Sequence, residues 1–314
     1  MAVSACMSLQ KDERKNSSIQ FLPYQANETG THGTKEFPVG IYESDLSEAL
    51  INWHWHEEIE VVMVLDGSVL CECGNQKFTL SAGDIFFINS GVLHSMVNNA
   101  SPSKAKTKTI TFHGSLISGN EGSIFFEKYL KPVLTNENLR ELCIAKQNRS
   151  YLGIVAIFEK VWSAIAEEKV DYEIITRNEL SNLFSILLHF PENNLPIVSE
   201  NRHLQEDRAQ MLLDYIHRHY MDSITLDDLA QAVSVSKSEI LRSFKAIIGL
   251  SPIKYLKNYR LQMAAYMLKK TDYTIGTIYE LCGFDDNSYF SKSFKEVYHC
   301  TPREYRGLFG GGML

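Results

Sequence analysis

Two kinds of hydrophobic pattern divide the chain. Ile59 to Leu65 is a continuous apolar run ending at Asp66-Gly67. Ser68 to Cys73 follows, then Gly74-Asn75, Lys77 to Leu80, Gly83-Asp84, Ile85 to Ile88, and a break at Asn89-Ser90-Gly91. Short runs separated by turn residues at this spacing predict strands of a small antiparallel barrel or sandwich. After about residue 120 the period changes. Tyr151 to Lys169 places Ile154, Ile157, Phe158, Val161, Trp162 and Ile165 on one helical face, and Glu173 to Phe190 does the same with Leu180, Leu183, Phe184, Leu187 and Leu188. Pro191 to Ser199 is a polar, proline-containing break that reads as a linker. From about His203 the chain is helical in short, punctuated segments. The predicted fold class is α+β, with an antiparallel β-barrel over 17–120, a helical pair and linker over 121–195, and an all-α domain over 203–309.

The last hundred residues contain an internal repeat. Ser243-Phe244-Lys245 recurs as Ser293-Phe294-Lys295; Ile240 matches Phe290, Ser251-Pro252 matches Thr301-Pro302, and Tyr255 matches Tyr305. Upstream the offset shortens by one residue, pairing Leu226 with Ile275, Leu229 with Ile278, and Val233 with Cys282. One supersecondary unit has been used twice. Each copy reads helix, tight turn, helix. Thr225 and Ser236 are suited to cap the two helices of the first copy, which ends near Gly249; Thr274, and Asp286 or Asn287, are suited to cap those of the second. In the first copy Ile240, Phe244 and Ile247 form a buried face, leaving Lys237, Ser238, Leu241, Arg242 and Lys245 outward. In the second, Phe290 and Phe294 anchor the helix and leave Asn287, Ser288, Ser291, Lys292 and Lys295 outward. Such pairs are what a helix-turn-helix reader of duplex DNA needs.

These residues resemble the C-terminal domain of AraC/XylS-type transcription regulators. The motifs are Leu229-Ala230, Arg242-x-Phe244-Lys245, Gly249-x-Ser251-Pro252-x-x-Tyr255-Leu256, Arg260-Leu261, Gly283-Phe284-x-Asp286-x-Ser288-Tyr289-Phe290 and Thr301-Pro302-x-x-Tyr305-Arg306. The resemblance implies two reading heads joined by a helix of about 27 Å, here Pro252 to Lys269, spanning successive major-groove segments about 34 Å apart. It assigns base or phosphate contacts to Ser236, Lys237, Ser238, Arg242 and Lys245 in the first head, and to Asn287, Ser288, Lys292 and Lys295 in the second. The chain departs from the pattern twice. Lys292 stands where Arg is usual, exchanging a bidentate fork for a point charge. Tyr279 stands where Ala is usual.

Net charge first argues against such a partner. The 314 residues carry a formal −7, and 44% hydrophobic with 22% charged residues describe an ordinary globular protein. The charge is unevenly placed, however. Residues 203–314 hold 14 basic and 13 acidic side chains, whereas residues 1–202 hold 17 and 25. Within 236–270 eight Lys or Arg face a single acid, Glu239. A local patch is what phosphate binding requires. The six cysteines are scattered without a CxxC pair, as reduced thiols of a cytoplasmic protein would be. Cys71 and Cys73 can share a strand face, in a structural role. Met1 to Asn16 reads as a polar lead-in without the features of a signal peptide. No apolar run reaches the length of a membrane span.

The segment His54-Trp55-His56-Glu57-Glu58-Ile59-Glu60, with Gly67, resembles the first motif of cupin barrels; Gly83 to Asn98, with Gly91 and His94, resembles the second. Asn89 replaces a usual proline, and the glycine expected six residues before His54 is missing. On one continuous strand, residues 54, 56, 58 and 60 would point the same way, so that His54, His56 and Glu60 converge with His94 from another strand. Such a set suits Fe(II), Mn(II), Ni(II) or Zn(II). Three uses stay open: a divalent-metal site, the wall of an effector pocket, and the polar interior of the barrel. AraC-type sensors commonly keep an HxH-like strand without a metal role, so no cofactor is required. Trp53, Trp55 and His32 are further candidate pocket walls; flat aromatic faces suit a sugar ring, and equally suit barrel core.

The expectation is a cytoplasmic, sequence-specific DNA-binding regulator, not an enzyme, that answers to a small-molecule effector, with a sugar as one candidate. A homodimer and RNA polymerase are its expected protein partners. The apolar stripes at 151–169 and 173–190 serve either a dimer interface or a cover for the barrel. The alternative is a metal-dependent cupin enzyme, or a metal sensor, fused to the DNA reader.

Overall fold

The computed structural model describes residues 32–46, 51–99, 104–190 and 200–309, with side chains from residue 204 in the last stretch. The polar lead-in, the start of the barrel at residue 17 and the linker Pro191 to Ser199 lie outside the described residues. The N-terminal strands are β1 (Val39–Asp45), β2 (Ile51–His54), β3 (Ile59–Asp66), β4 (Ser68–Cys73), β5 (Gln76–Ser81), β6 (Ile85–Ile88), β7 (His94–Asn98) and β8 (Lys106–Phe112). Two short helices, α1 (Ser115–Ser118) and α2 (Lys131–Leu134), lead to β9 (Glu141–Ile144). Then come α3 (Tyr151–Glu167) and α4 (Tyr172–Leu188).

The strands form two antiparallel sheets, ordered β1-β8-β3-β6-β9 and β2-β7-β4-β5. Among the described residues each ladder stays within its own sheet, so the predicted barrel is an open pair of sheets. The continuous apolar runs of β3 and β6 have a direct cause: both faces of their sheet are buried. Val62, Val64, Phe86 and Ile88 meet Val69, Cys71, Leu80 and Met96 of the second sheet. Val61, Met63, Ile85 and Phe87 meet Ile154, Phe158, Leu180 and Phe184 of α3 and α4. The stripes of those two helices are therefore spent on covering the sheet. Cys71 and Cys73 lie in the core between the sheets with sulfurs 3.9 Å apart, and burial pushes the Cys71 thiol up, as suits a packing role. β9 falls inside the stretch read as helical; at four residues it is too short to show a period, and its pairing with β6 defines it.

The C-terminal domain contains α5 (Glu200–His219), α6 (Leu226–Ala232), α7 (Lys237–Ile248), α8 (Pro252–Lys270), α9 (Ile275–Leu281), α10 (Asn287–Tyr298) and α11 (Pro302–Phe309). The repeat is visible in its caps. Thr225 and Asp228 form a reciprocal capping box on α6, and the Thr274 hydroxyl accepts from the Thr277 N–H at 3.0 Å on α9. Ser236 accepts from Glu239 N–H at 3.2 Å, and Asp286, not Asn287, caps α10 through Tyr289 N–H at 2.5 Å. Each copy has its own core, one around Phe244 and one around Phe290 and Phe294. No helix among the described residues is long and apolar enough to cross a membrane.

Candidate functional site

The candidate first reading head is the outer face of α7. Ile240 and Phe244 are fully buried, which turns Lys237, Ser238, Arg242 and Lys245 to solvent. Ser236 is exposed too, but its hydroxyl is engaged in capping, so it fixes where α7 begins. Lys237 lies 2.6 Å from Asp227. Glu239 is shared: one oxygen pairs with Arg242, and the other accepts from Arg208 of α5 at 3.2 Å. Exposed pairs of this kind are weak, so a phosphate or base edge can take Arg242 from Glu239 at small cost.

The second head is built the same way on α10. Phe290 and Phe294 are fully buried, while Asn287, Ser288, Lys292 and Lys295 are exposed. The Ser291 hydroxyl donates to Asn287 Oδ1 at 3.4 Å. Tyr289, half exposed in the first turn, adds an aromatic side chain to this face. Tyr279 is accommodated at the edge of this unit: its ring lies 6.2 Å from that of Phe290, and its hydroxyl donates to Glu280 at 3.3 Å.

His54, His56, Glu60 and His94 do come together, each buried, with one ligand atom from each lying within 4.8 Å of the others. The route differs from the single strand expected. β2 ends at His54, the chain turns through His56, and Glu60 belongs to β3 in the facing sheet. His54 and His94 are cross-strand partners, with ring centroids 4.0 Å apart. Glu60 Oε2 lies 3.2 Å from His56 Nε2 and 3.1 Å from His94 Nε2. Burial alone would raise the Glu60 carboxyl; the hydrogen bonds and charge of His56 and His94 outweigh it and hold the group well below the ordinary range. His32 stands beside this cluster, its ring 5.3 Å from His56 and its Nδ1 2.7 Å from the Tyr42 hydroxyl.

Trp53 has a different neighbourhood from the one expected. With Leu93 it is buried in the core that contains Leu212, Leu213, Phe244 and Tyr255, and Trp55 packs against the same group. Both tryptophans thus sit at a seam between the second sheet and α5 and α8. Polar contacts run along it. Tyr255 Oη donates to the Trp53 carbonyl at 3.5 Å, Gln210 Nε2 donates to the Gly91 carbonyl at 2.8 Å, Asn52 Nδ2 bonds Gln262, and Arg140 pairs with buried Glu206. Gly74, at φ +53°, lies so close to Glu206 that a Cβ would stand 2.0 Å from its Oε1. His217 stacks on Tyr259 at 3.9 Å and bonds the Tyr255 hydroxyl at 2.9 Å; burial, helped by the charge of His54, drives it down to about 3. No local pattern marks these seam residues, because each partner is distant in sequence.

Comparison with known proteins gives the same division. Residues 39–184 match the AraC-like ligand binding domain and residues 229–307 match a helix-turn-helix domain. The uncharacterized HTH-type transcriptional regulator YdeC of Bacillus subtilis (strain 168) is 28% identical over 281 residues, covering 88% of this chain and 94% of its own. The HTH-type transcriptional activator RhaS of Enterobacter sp. (strain 638) is 23% identical over 290 residues, covering 88% and 97%. Among solved structures, ToxT from Vibrio cholerae O395 aligns over 88% of this chain and 100% of its own at 14% identity, with a TM-score of 0.47.

Proposed function

Because the chain belongs to the AraC-type transcription regulators, with a helix-turn-helix DNA-binding domain and an N-terminal ligand-binding domain, we propose the following division of labour. Residues 203–309 read two successive major-groove segments of duplex DNA. The two sheets, through β9, with α3 and α4, hold a small ligand that biases this reading. The protein acts in the cytoplasm as a homodimer that works with RNA polymerase, and it catalyses no reaction.

The observation that carries the DNA reading is the pair of capped units in register. Each buries apolar residues and turns a polar or basic face outward. In the first head Arg242 and Lys245 contact base edges or phosphates, Lys237 and Ser238 contact phosphates, and Ser236 positions the helix. In the second, Asn287 and Ser288 read bases from the N-terminal turn, while Lys292 and Lys295 supply point charges. On the ligand side, the burial of Trp53 in the seam weakens its claim to hold a sugar ring. The buried His54, His56, Glu60 and His94 cluster, flanked by His32, is the polar centre this domain offers a ligand, and Trp55 and Trp53 act as relays at the seam.

Selection of duplexes from a random pool on the full chain tests the reading. The expected product is a site of two half-elements about one helical turn apart. Arg242→Ala should cost about 1–3 kcal/mol and relax one position if it reads a base. Uniform weakening would make it a phosphate contact, and recovery of no enriched duplex would remove the DNA-reading assignment.

A further inference from the structure

We propose that Arg260 is a positioning residue that, with the turn at Gly283, locks the second helix-turn-helix unit onto the end of α5. The lock fixes which spacing of two DNA elements the heads can read together. That effect on spacing rests on the DNA-reading assignment, whereas the lock itself stands on geometry within the C-terminal domain.

Arg260 stands where α8 passes from one core to the other. Tyr255, Leu256 and Tyr259 are buried with Phe244 in the first unit, whereas Leu261, Ala264, Ala265 and Leu268 are buried with Phe290 and Phe294 in the second. A lone connecting helix gives the second unit one line of support; a further contact off its axis is what fixes rotation. The guanidinium supplies that contact. Nε donates to the Tyr220 carbonyl at 2.7 Å and Nη2 to the Asp222 carbonyl at 2.6 Å, both just beyond the end of α5. Carbonyls at a helix C-terminus lack partners within the helix, and a cation is favoured there. The same group lies over the ring of Phe284, 6.0 Å from its centroid, and Phe284 is buried in the second core. One planar fork therefore touches both units, which the point charge of a lysine could not do.

Gly283 closes the lock from the other unit. It follows α9 with φ +73°, and a Cβ there would stand 2.6 Å from the Tyr220 oxygen and 2.9 Å from both the Met221 oxygen and Arg260 Nη2. The left-handed φ alone favours glycine at such a helix end. The crowding adds that this turn rests directly on the backbone that follows α5. Tyr220 is in turn anchored in the first core, 7% exposed, with its ring 5.3 Å from that of Tyr259.

Two contacts off the axis of α8 thus restrain rotation of the second head about it. The duplex sets what that restraint is worth. One added base pair carries the second element about 3.4 Å along the axis and turns it by about 34°. A rigid pair of heads then loses its second set of contacts. A loosely joined pair keeps them, at a lower effective concentration.

The test compares the full chain with Arg260→Met on three kinds of duplex derived from the selected site. One keeps the preferred spacing, one has a base pair added or removed between the elements, and one has the second element scrambled. For wild type, changed spacing should cost on the order of 10-fold in affinity, the worth of one good base contact. In Arg260→Met that penalty should shrink to about 2–3-fold, with weaker binding at the preferred spacing. Affinity for the scrambled duplex, which only the first head reads, should not change. Arg260→Lys keeps the charge but not the fork, should relax spacing in the same way, and serves if Arg260→Met does not fold. The lock is read without DNA by electron–electron distance measurement between nitroxides carried on p-acetylphenylalanine at exposed Ala246 of α7 and Glu296 of α10. The distribution should be narrow in wild type, broader in Arg260→Met and shifted in Gly283→Ala. Equal spacing penalties in wild type and a folded variant overturn the role in spacing, and equal weakening on all three duplexes reduces Arg260 to a support of the fold. Distances unchanged in both Arg260→Met and Gly283→Ala overturn the lock. A wild type that binds no duplex removes the DNA-reading assignment and the spacing effect with it, while the distances still decide the lock.

Discussion

The two helix-turn-helix units share a sequence pattern but not an environment. In the first, Phe244 is buried in a core that runs through α5 and α8 to Trp53 and Leu93 of the N-terminal domain. In the second, Phe290 and Phe294 pack with Leu261, Leu268, Ile278 and Tyr305, all within the C-terminal domain. α5 has no counterpart in the repeat; it joins the first head to the seam together with α8, whose Tyr255 and Gln262 meet Trp53 and Asn52. The first head thus shares a core with the N-terminal domain, whereas the second packs on α8, with Gly283 close against the Tyr220 and Met221 carbonyls that follow α5. The repeat supplies two similar units, and packing joins the core of the first to the N-terminal domain.

Breaking each core is the severest test of that contrast. Phe244→Ala and Phe290→Ala should each cost about 3–5 kcal/mol. Hydrogen exchange should then show Phe244→Ala loosening α5 with β2 and β7, while Phe290→Ala opens only α9 to α11. Identical patterns would mean that the two cores are not separate. A second difference is pH sensitivity. His217 of α5 is held near 3 by burial, against about 6.5 when unfolded. The folded state therefore prefers the neutral ring, and its contribution is complete above about pH 6.5 and lost as pH falls towards 3. At pH 5 the loss should be about 2 kcal/mol. Denaturation of wild type and His217→Gln at pH 7 and pH 5 checks this, since only the wild type should show that extra drop.

Two smaller substitutions sharpen the comparison from the side of the second head. Lys292→Arg restores a bidentate donor and should improve discrimination at one base position by about 1 kcal/mol, the low end for such a pair. Binding to single-base variants of a selected duplex measures it; equal gains on every variant would show a phosphate contact instead. The ends of α7 and α10 differ as well. Gly249 closes α7 at φ +77°, whereas His299 adopts φ +58° at the end of α10. His299→Gly should stabilise the second unit by about 0.5–1 kcal/mol, whereas Gly249→Ala should destabilise the first. A His299→Gly variant less stable than wild type would show that the imidazole makes up for its strained backbone.

Much of this was legible in the chain because it is local. The repeat, the caps at Thr225, Ser236 and Thr274, and the buried faces of α7 and α10 follow from residues three or four apart, and the structure has them where the spacing puts them. The apolar runs of β3 to β6 and the stripes of α3 and α4 are of the same kind. The cluster of His54, His56, Glu60 and His94 was legible as a set but not as a geometry. One strand from residue 54 to 60 would have put three of them on one face, whereas the chain turns at His56 and meets Glu60 from the opposite sheet. β9 is not legible in the chain, because four residues carry no readable period. The place of Trp53 is not legible, because an aromatic residue beside a polar strand looks alike in sequence whether it lines a pocket or a seam.

What the sequence determined by itself was therefore the family of the protein, the doubled DNA reader and the inventory of polar groups in its N-terminal half. Short-range periodicity and capping encode all of these, and they survive whatever the rest of the chain does. The tertiary structure alone decided which sheet faced which, that α5 would lie on the turn at Gly74, and that Gln210, Gln262 and Tyr255 would meet Gly91, Asn52 and Trp53. Those contacts join residues more than a hundred positions apart. Their partners are selected by the burial of whole surfaces, a property that no local stretch of sequence possesses.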